Sequence, residues 1–160
     1  MRISVKLSDE RVHNLPAFIV RHSMLLGPAK GGVRLSVRVD DDIITALATE
    51  MTLKTSLIGV PFGGGKAGIQ CDGRHLSAED KERVIRGFAN TARRHLGPEL
   101  YVPAPDMGTD ETDMGHLKDA ITYGEGTATT RGCYVTGKPV LLGGVEGRRD
   151  ATGFGVIVNL

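Results

Sequence analysis

The stretch TALATEMTLKTSLIGVPFGGGKAGIQ, residues 45–70, joins a helix-period segment to a run of glycines and a lysine. Ile44, Leu47, Ala48, Met51 and Thr55 recur at spacings of three and four, which predicts a helix with one buried face. Lys54 lies near its C-terminal end. After Leu57-Ile58-Gly59-Val60, the chain enters Pro61-Phe62-Gly63-Gly64-Gly65-Lys66, where three glycines clear every side chain beside one lysine. Glycine serves where backbone needs unusual dihedrals or another group must approach closely, so the run reads as a loop platform presenting Lys66. Lys54 and Lys66 then become candidates for two ammonium groups converging on an anion. A solvated turn has the same pattern, and spacing alone does not separate the two readings. A phosphate-binding loop is excluded, because Val60 and Ala67 stand where G-x-x-x-x-G-K-[ST] needs Gly and Ser or Thr.

Upstream, Ile3, Val5 and Leu7 alternate with polar residues, the period of a half-buried strand. Residues 15–26 form a longer apolar run, expected as a strand buried on both faces. Ala29-Lys30-Gly31-Gly32 is expected as a loop before a third strand over 33–39. The connections are too short for crossover helices, so these three strands should form one antiparallel or mixed unit. Asp40-Asp41-Asp42 suits the start of the helix already described.

Downstream, a short strand is expected over 69–71. Ser77-x-x-Asp80 resembles a capping box opening a helix with Val84, Ile85, Phe88, Ala89, Ala92 and Leu96 on one face. A strand over 100–102 and the extended Pro103-Ala104-Pro105 deliver Asp106. A further helix starts at Thr109 or Asp110, with Met114, Leu117 and Ile121 inward. Residues 123–149 are glycine-rich and read as loop with brief strands near Tyr134 and over 140–142. Asp150-Ala151-Thr152 caps a last helix. Strands separated by helices make the class α/β, a three-layer domain with a mixed β-sheet flanked by helices.

A length of 160 residues suits one domain with a sizeable core. A net charge of +1, no Trp and few aromatics give no case for nucleic acid or membrane binding. No apolar run reaches about 18 residues, so no helical membrane span is expected. The charged, alternating N-terminus does not read as a secretory signal. Cys71 and Cys133 are isolated thiols, read as reduced cysteines of a cytoplasmic protein. The five histidines lack metal-ligand spacing, and no metal is expected.

PFGGGKAGI, with GPAKGGVR and MTLKTSL before it and VPAPDMGT and DATGFGV after, resembles the glutamate/leucine/phenylalanine/valine dehydrogenase family. The resemblance runs over nearly the whole chain and is to the N-terminal, substrate-binding and oligomerising domain. It implies reversible oxidative deamination with NAD or NADP. Lys66 and Asp106 match the catalytic lysine and the proton-handling aspartate. Lys54 matches the lysine for the α-carboxylate, and Lys30 the one for the side-chain carboxylate of glutamate. Leucine- and phenylalanine-specific branches carry an apolar residue at the Lys30 position, so Lys30 favours glutamate. Met51 stands where many glutamate dehydrogenases place a polar side chain near substrate, and Thr152 matches a threonine near the nicotinamide. Without the family, Asp106 also reads as a helix cap, Lys30 as a solvated turn residue and Arg34 as a structural ion pair.

The resemblance further implies a homo-oligomer, hexameric in the parent family, acting on a small amino acid and its 2-oxo acid. Residues 1–149 are then the substrate-binding and oligomerisation domain, and 150–160 the start of a helix toward a dinucleotide-binding domain. Gly153-Phe154-Gly155-Val156-Ile157-Val158 fails the G-x-G-x-x-G fingerprint at its last glycine, so the chain reads as a fragment. The alternatives are a leucine-, phenylalanine- or valine-type dehydrogenase, or a non-catalytic assembly or binding module.

Overall fold

The computed structural model describes residues 1–123 and 133–160. In chain order these give β1 (Arg2–Lys6), β2 (Val12–Ser23), β3 (Ala29–Leu35), α1 (Asp41–Leu57), β4 (Gly63–Ile69), α2 (Ala78–Ala92), β5 (Tyr101–Pro105), α3 (Glu111–Thr122) and α4 (Arg148–Val158). The sheet order is β1-β2-β4-β3-β5. β1 and β2, and β2 and β4, pair antiparallel, whereas β3 runs parallel to both β4 and β5. The α/β class and the mixed, helix-flanked sheet are therefore as expected.

The glycine run corrects the sequence reading. Residues 63–65 are not a loop platform but the start of β4, a wholly buried strand near the middle of the sheet. β2 and β3 do not pair with each other, because β4 inserts between them after α1 carries the chain across. Ala29 to Gly32 likewise belong to β3 and not to a loop. β2 ends at Ser23, most of it is only half-buried, and Leu25 beyond it is 94% exposed. Its apolar run is long because the strand is long, not because both faces are covered.

Close packing accounts for the glycines. A Cβ on Gly64 would lie 2.0 Å from Thr52 Oγ1 and 2.2 Å from Thr52 N in α1. One on Gly31 would lie 1.7 Å from the Gly65 carbonyl oxygen. These positions let α1 and the neighbouring strand approach the protein's own backbone, not a ligand.

Side chains alternate across a strand. On β4, Gly64 and Gly68 face α1, where Gly68 meets Ile44 and Val39. Ala67 and Ile69 face the other way, into a core with Val84, Ile85 and Phe88 of α2 and Met114, Leu117 and Ile121 of α3. α1 thus covers one face and α2 with α3 the other, the three layers expected.

Caps fix the helix starts. Asp40 Oδ1 accepts Ile43 N at 2.8 Å to open α1. Ser77 Oγ accepts Asp80 N at 3.1 Å to open α2, but the Asp80 carboxylate accepts Ser8 N instead of closing the box. The reciprocal box is on α3, between Asp110 and Asp113.

No strand forms at Tyr134, and Val140–Leu142 is a 3₁₀ turn. Pro103 and Pro105 of β5 have no N–H to offer a further strand. Thr136 N donates to the Pro103 carbonyl at 3.0 Å without starting a ladder. The rest of that expected loop, residues 124–132, lies outside the described residues. α4 starts at Arg148, capped by Gly147 in the left-handed region at φ 76°, and so begins before the expected Asp150.

Candidate active site

Strand register builds the site. Lys30 of β3 stands beside Gly64 of β4 and Val102 of β5, so the even-numbered residues of these three parallel strands share one face. That face presents Lys30, Gly32 and Arg34 from β3, Lys66 from β4, and Asp106 just past β5. It is the α1 face. Leu47, Glu50, Met51 and Lys54, at helical spacings of three and four, border the same cleft from α1. Arg148 and Thr152 of α4 close its far side, around a volume of about 410 Å³. All six residues named from sequence, Lys30, Met51, Lys54, Lys66, Asp106 and Thr152, line this one cleft.

Asp106 is at its centre and does not cap a helix, because Asp110 caps α3. Lys66 Nζ donates to Asp106 Oδ1 at 2.7 Å, and Arg34 Nε donates to Oδ2 at 2.7 Å. The Lys66 side chain is only 7% exposed. Gly32 is needed here, since a Cβ on it would lie 2.6 Å from Asp106 Cβ. Burial by itself raises the Asp106 carboxyl, but the hydrogen bonds and charges of Lys66 and Arg34 outweigh it and hold it below the ordinary carboxylate range.

Lys30 is not a solvated turn residue. It sits half-buried on β3, and burial, then the charges of Arg148, Lys138 and Lys66, bring its ammonium down to about 7. Underneath, Tyr101 donates its hydroxyl to the carbonyls of Gly31 at 2.8 Å and Gly32 at 3.1 Å, fixing the strand that carries Lys30 and Arg34. Burial, and then the Asp106 charge, push the Tyr101 phenol up, so it stays a donor. Met51 and Lys54 sit on the accessible side of α1, Lys54 exposed at the rim.

Arg34 is the structural ion pair expected, and its partner is Asp106. Its place on the cleft beside Lys30 was hidden because residues 29–32 read as a loop, so the two did not share a strand. Sequence reasoning missed one cation, Arg148, because the glycine-rich segment before it carries no period. The Gly153-Phe154-Gly155 glycines lie inside α4 and not in a strand-to-helix turn, so they do not form a cradle for a dinucleotide's phosphates.

Residues 1–123 match the description Glu/Leu/Phe/Val dehydrogenase, dimerisation domain. The chain belongs to this family. Within it, the chain is 37% identical over all 160 residues to an NAD-specific glutamate dehydrogenase of Staphylococcus aureus, covering 38% of that protein. It is 39% identical over 156 residues to glutamate dehydrogenase A2 of Halobacterium salinarum, covering 37% of it. Among solved structures, the fold is similar to the hetero-hexameric glutamate dehydrogenase of Thermus thermophilus in its Leu-bound form, with TM-score 0.93 and 37% identity over 98% of this chain and 37% of that one. The glutamate dehydrogenase of Peptoniphilus asaccharolyticus gives TM-score 0.91 and 40% identity over 98% of this chain and 39% of that one. The chain thus spans a little over a third of the length of these dehydrogenases.

Proposed function

We propose that this chain is the substrate-binding part of a glutamate dehydrogenase, which deaminates L-glutamate to 2-oxoglutarate with NAD or NADP. The observation that carries the reading is convergence: Lys30, Lys54, Lys66 and Asp106 come from four separate segments and line one cleft. Five cationic side chains there face two carboxylates, Glu50 and Asp106, an excess suited to a dicarboxylate. Lys54 at the rim takes the α-carboxylate. Lys30, with Arg148 beside it, takes the side-chain carboxylate, for which a leucine- or valine-type substrate has no group to offer.

The reaction balances as glutamate, oxidised nicotinamide and water giving 2-oxoglutarate, ammonium, reduced nicotinamide and a proton. A bound oxidised nicotinamide supplies the hydride acceptor. Asp106 takes a proton from the substrate ammonium, so that the Cα–N bond can become an imine as hydride leaves Cα. Water then adds to that carbon. Lys66 Nζ donates hydrogen bonds to the oxygen of the resulting carbinolamine, and the C–N bond breaks as ammonia takes a proton.

Thr152, which lines the cleft from α4, would then border the nicotinamide ring, with the cofactor's phosphates held by a separate dinucleotide-binding domain. The exposed Phe154, Val156, Ile157 and Val158 of α4 support the reading of residues 150–160 as the lead into a cofactor domain, with 1–149 as the substrate and assembly unit. The dimerisation-domain match supports an oligomer, read here as a hexamer of identical chains. The free thiols of Cys71 and Cys133 fit a reducing cytoplasm.

The test uses the parent protein, cofactor domain included. It should reduce NAD or NADP with glutamate; Asp106→Asn should lower kcat by roughly 10²- to 10⁴-fold, the range for a lost general acid–base group, and Lys66→Met by roughly 10²- to 10³-fold, the range for a lost oxyanion donor. Ordinary turnover in either variant would remove the proposed site.

A further inference from the structure

The reaction outlined above gives the Arg34 guanidinium nothing to do, yet Arg34 holds one of the two oxygens of Asp106. Its Nε donates to Oδ2 while Lys66 Nζ donates to Oδ1, each at 2.7 Å. The Arg34 side chain is 22% exposed and that of Asp106 17%, so the pair is largely out of water. The Asp106 backbone is also tied down. Its N–H donates to Thr109 Oγ1 at 2.9 Å, and that hydroxyl donates to the Val33 carbonyl at 2.8 Å, beside Arg34 on β3. Of the groups on the carboxylate, only Lys66 is required by the chemistry to serve the substrate as well.

We infer that Arg34 is a positioning residue, which keeps the Asp106 carboxylate oriented into the cleft while Lys66 Nζ turns from Asp106 to the substrate. The inference rests on the roles proposed above for Lys66 and Asp106. A carboxylate gripped by one mobile ammonium alone is free to rotate once that ammonium leaves. Being partly buried, it also drifts toward the neutral acid, which cannot accept a proton. An arginine prevents both, because it is permanently charged and its donors are held in a rigid plane. The other charged groups on this cleft, Lys30, Lys54, Arg148 and Glu50, make no hydrogen bond to Asp106 among the described residues. The Tyr101 phenol beneath is committed to Gly31 and Gly32. With Lys66 on the substrate, Arg34 is the cation left on Asp106.

The experiment compares Arg34→Gln and Arg34→Lys with wild type in the parent enzyme, after thermal unfolding has shown that each variant folds. Arg34→Gln should lower kcat about 100-fold, the loss that follows roughly 1 Å of misplacement, with KM for glutamate within about threefold. Its solvent deuterium isotope effect on kcat should exceed that of wild type, because proton transfer at Asp106 has become slow. Arg34→Lys keeps the charge and should recover kcat about tenfold over Arg34→Gln. A KM that rises as far as kcat falls would make Arg34 a substrate ligand. An unmoved kcat or an unmoved isotope effect would make it structural only, and each of these overturns the inference. If Arg34→Gln does not fold, Arg34→Lys is read alone, with an enlarged isotope effect expected and an unchanged one contradicting. If wild type itself does not oxidise glutamate, the proposed function fails, and crystal structures of Lys66→Met with and without Arg34→Gln decide the present inference. An Asp106 carboxylate that keeps its place in Lys66→Met and turns in the double variant upholds it, and one unmoved in both overturns it.

Discussion

Lys30 loses much of its preference for the ammonium form because it is packed away from water beside Arg148, Lys138 and Lys66. A substrate side-chain carboxylate would relieve that, and binding it requires Lys30 charged. Without substrate, Lys30 titrates at about 7, so it is charged below that pH and progressively neutral above it. The ratio of kcat/KM for glutamate to that for norvaline should therefore fall as pH rises from 6 to 9, by at most about tenfold per unit. A ratio flat across that range would show that Lys30 does not meet the side-chain carboxylate. On the proposed reading Lys30→Leu would remove one partner of a charge-assisted pair, a loss of about 2–5 kcal/mol when the other stays buried. In kcat/KM for glutamate that is roughly 30- to several-thousand-fold. Norvaline, lacking the carboxylate, should be spared. Lys54→Leu should instead depress both substrates by similar factors, since both carry the α-carboxylate. At this scale the sequence was informative where motifs were dense, and all six residues it marked line the cleft. It was uninformative at Arg148, where a glycine-rich, aperiodic segment gives a side chain no direction.

Elements were legible in proportion to their periodicity. α2 and α3 were readable because Val84, Ile85, Phe88 and Ala89, and Met114, Leu117 and Ile121, repeat at helical spacing into one core. β4 was not, because GGGK carries no alternating side chains to betray a strand. What makes GGGK a strand is its pairing with β2 on one side and β3 on the other, contacts remote in sequence. The order of β2, β4 and β3 was hidden for the same reason, since pairing across α1 leaves no local trace. Gly64 provides the test. Gly64→Ala forces a Cβ against backbone and side chain of Thr52, and overpacking of this kind costs about 1–3 kcal/mol. The Tm should fall by several degrees in thermal unfolding. Gly153→Ala, where a Cβ meets nothing within 4 Å inside α4, should leave the Tm unchanged or raise it. Equal effects at the two positions would contradict the packing explanation for the glycine run.

Across the whole molecule, three parallel strands turn one set of side chains toward α1, while α2 and α3 seal the opposite face. The same alternation that buries Ala67 and Ile69 in the core puts Lys66 in the cleft, so one strand serves both the packing and the charge of the cleft. Where a substrate lies in that cleft follows from the charges. The direct measurement is a crystal structure of the parent enzyme with 2-oxoglutarate bound. The account predicts the C5 carboxylate against Lys30 and Arg148, the C1 carboxylate toward Lys54, and the keto carbon between Lys66 and Asp106. A ligand bound away from the Lys66–Asp106 pair, or lying with its two carboxylates exchanged, would contradict it.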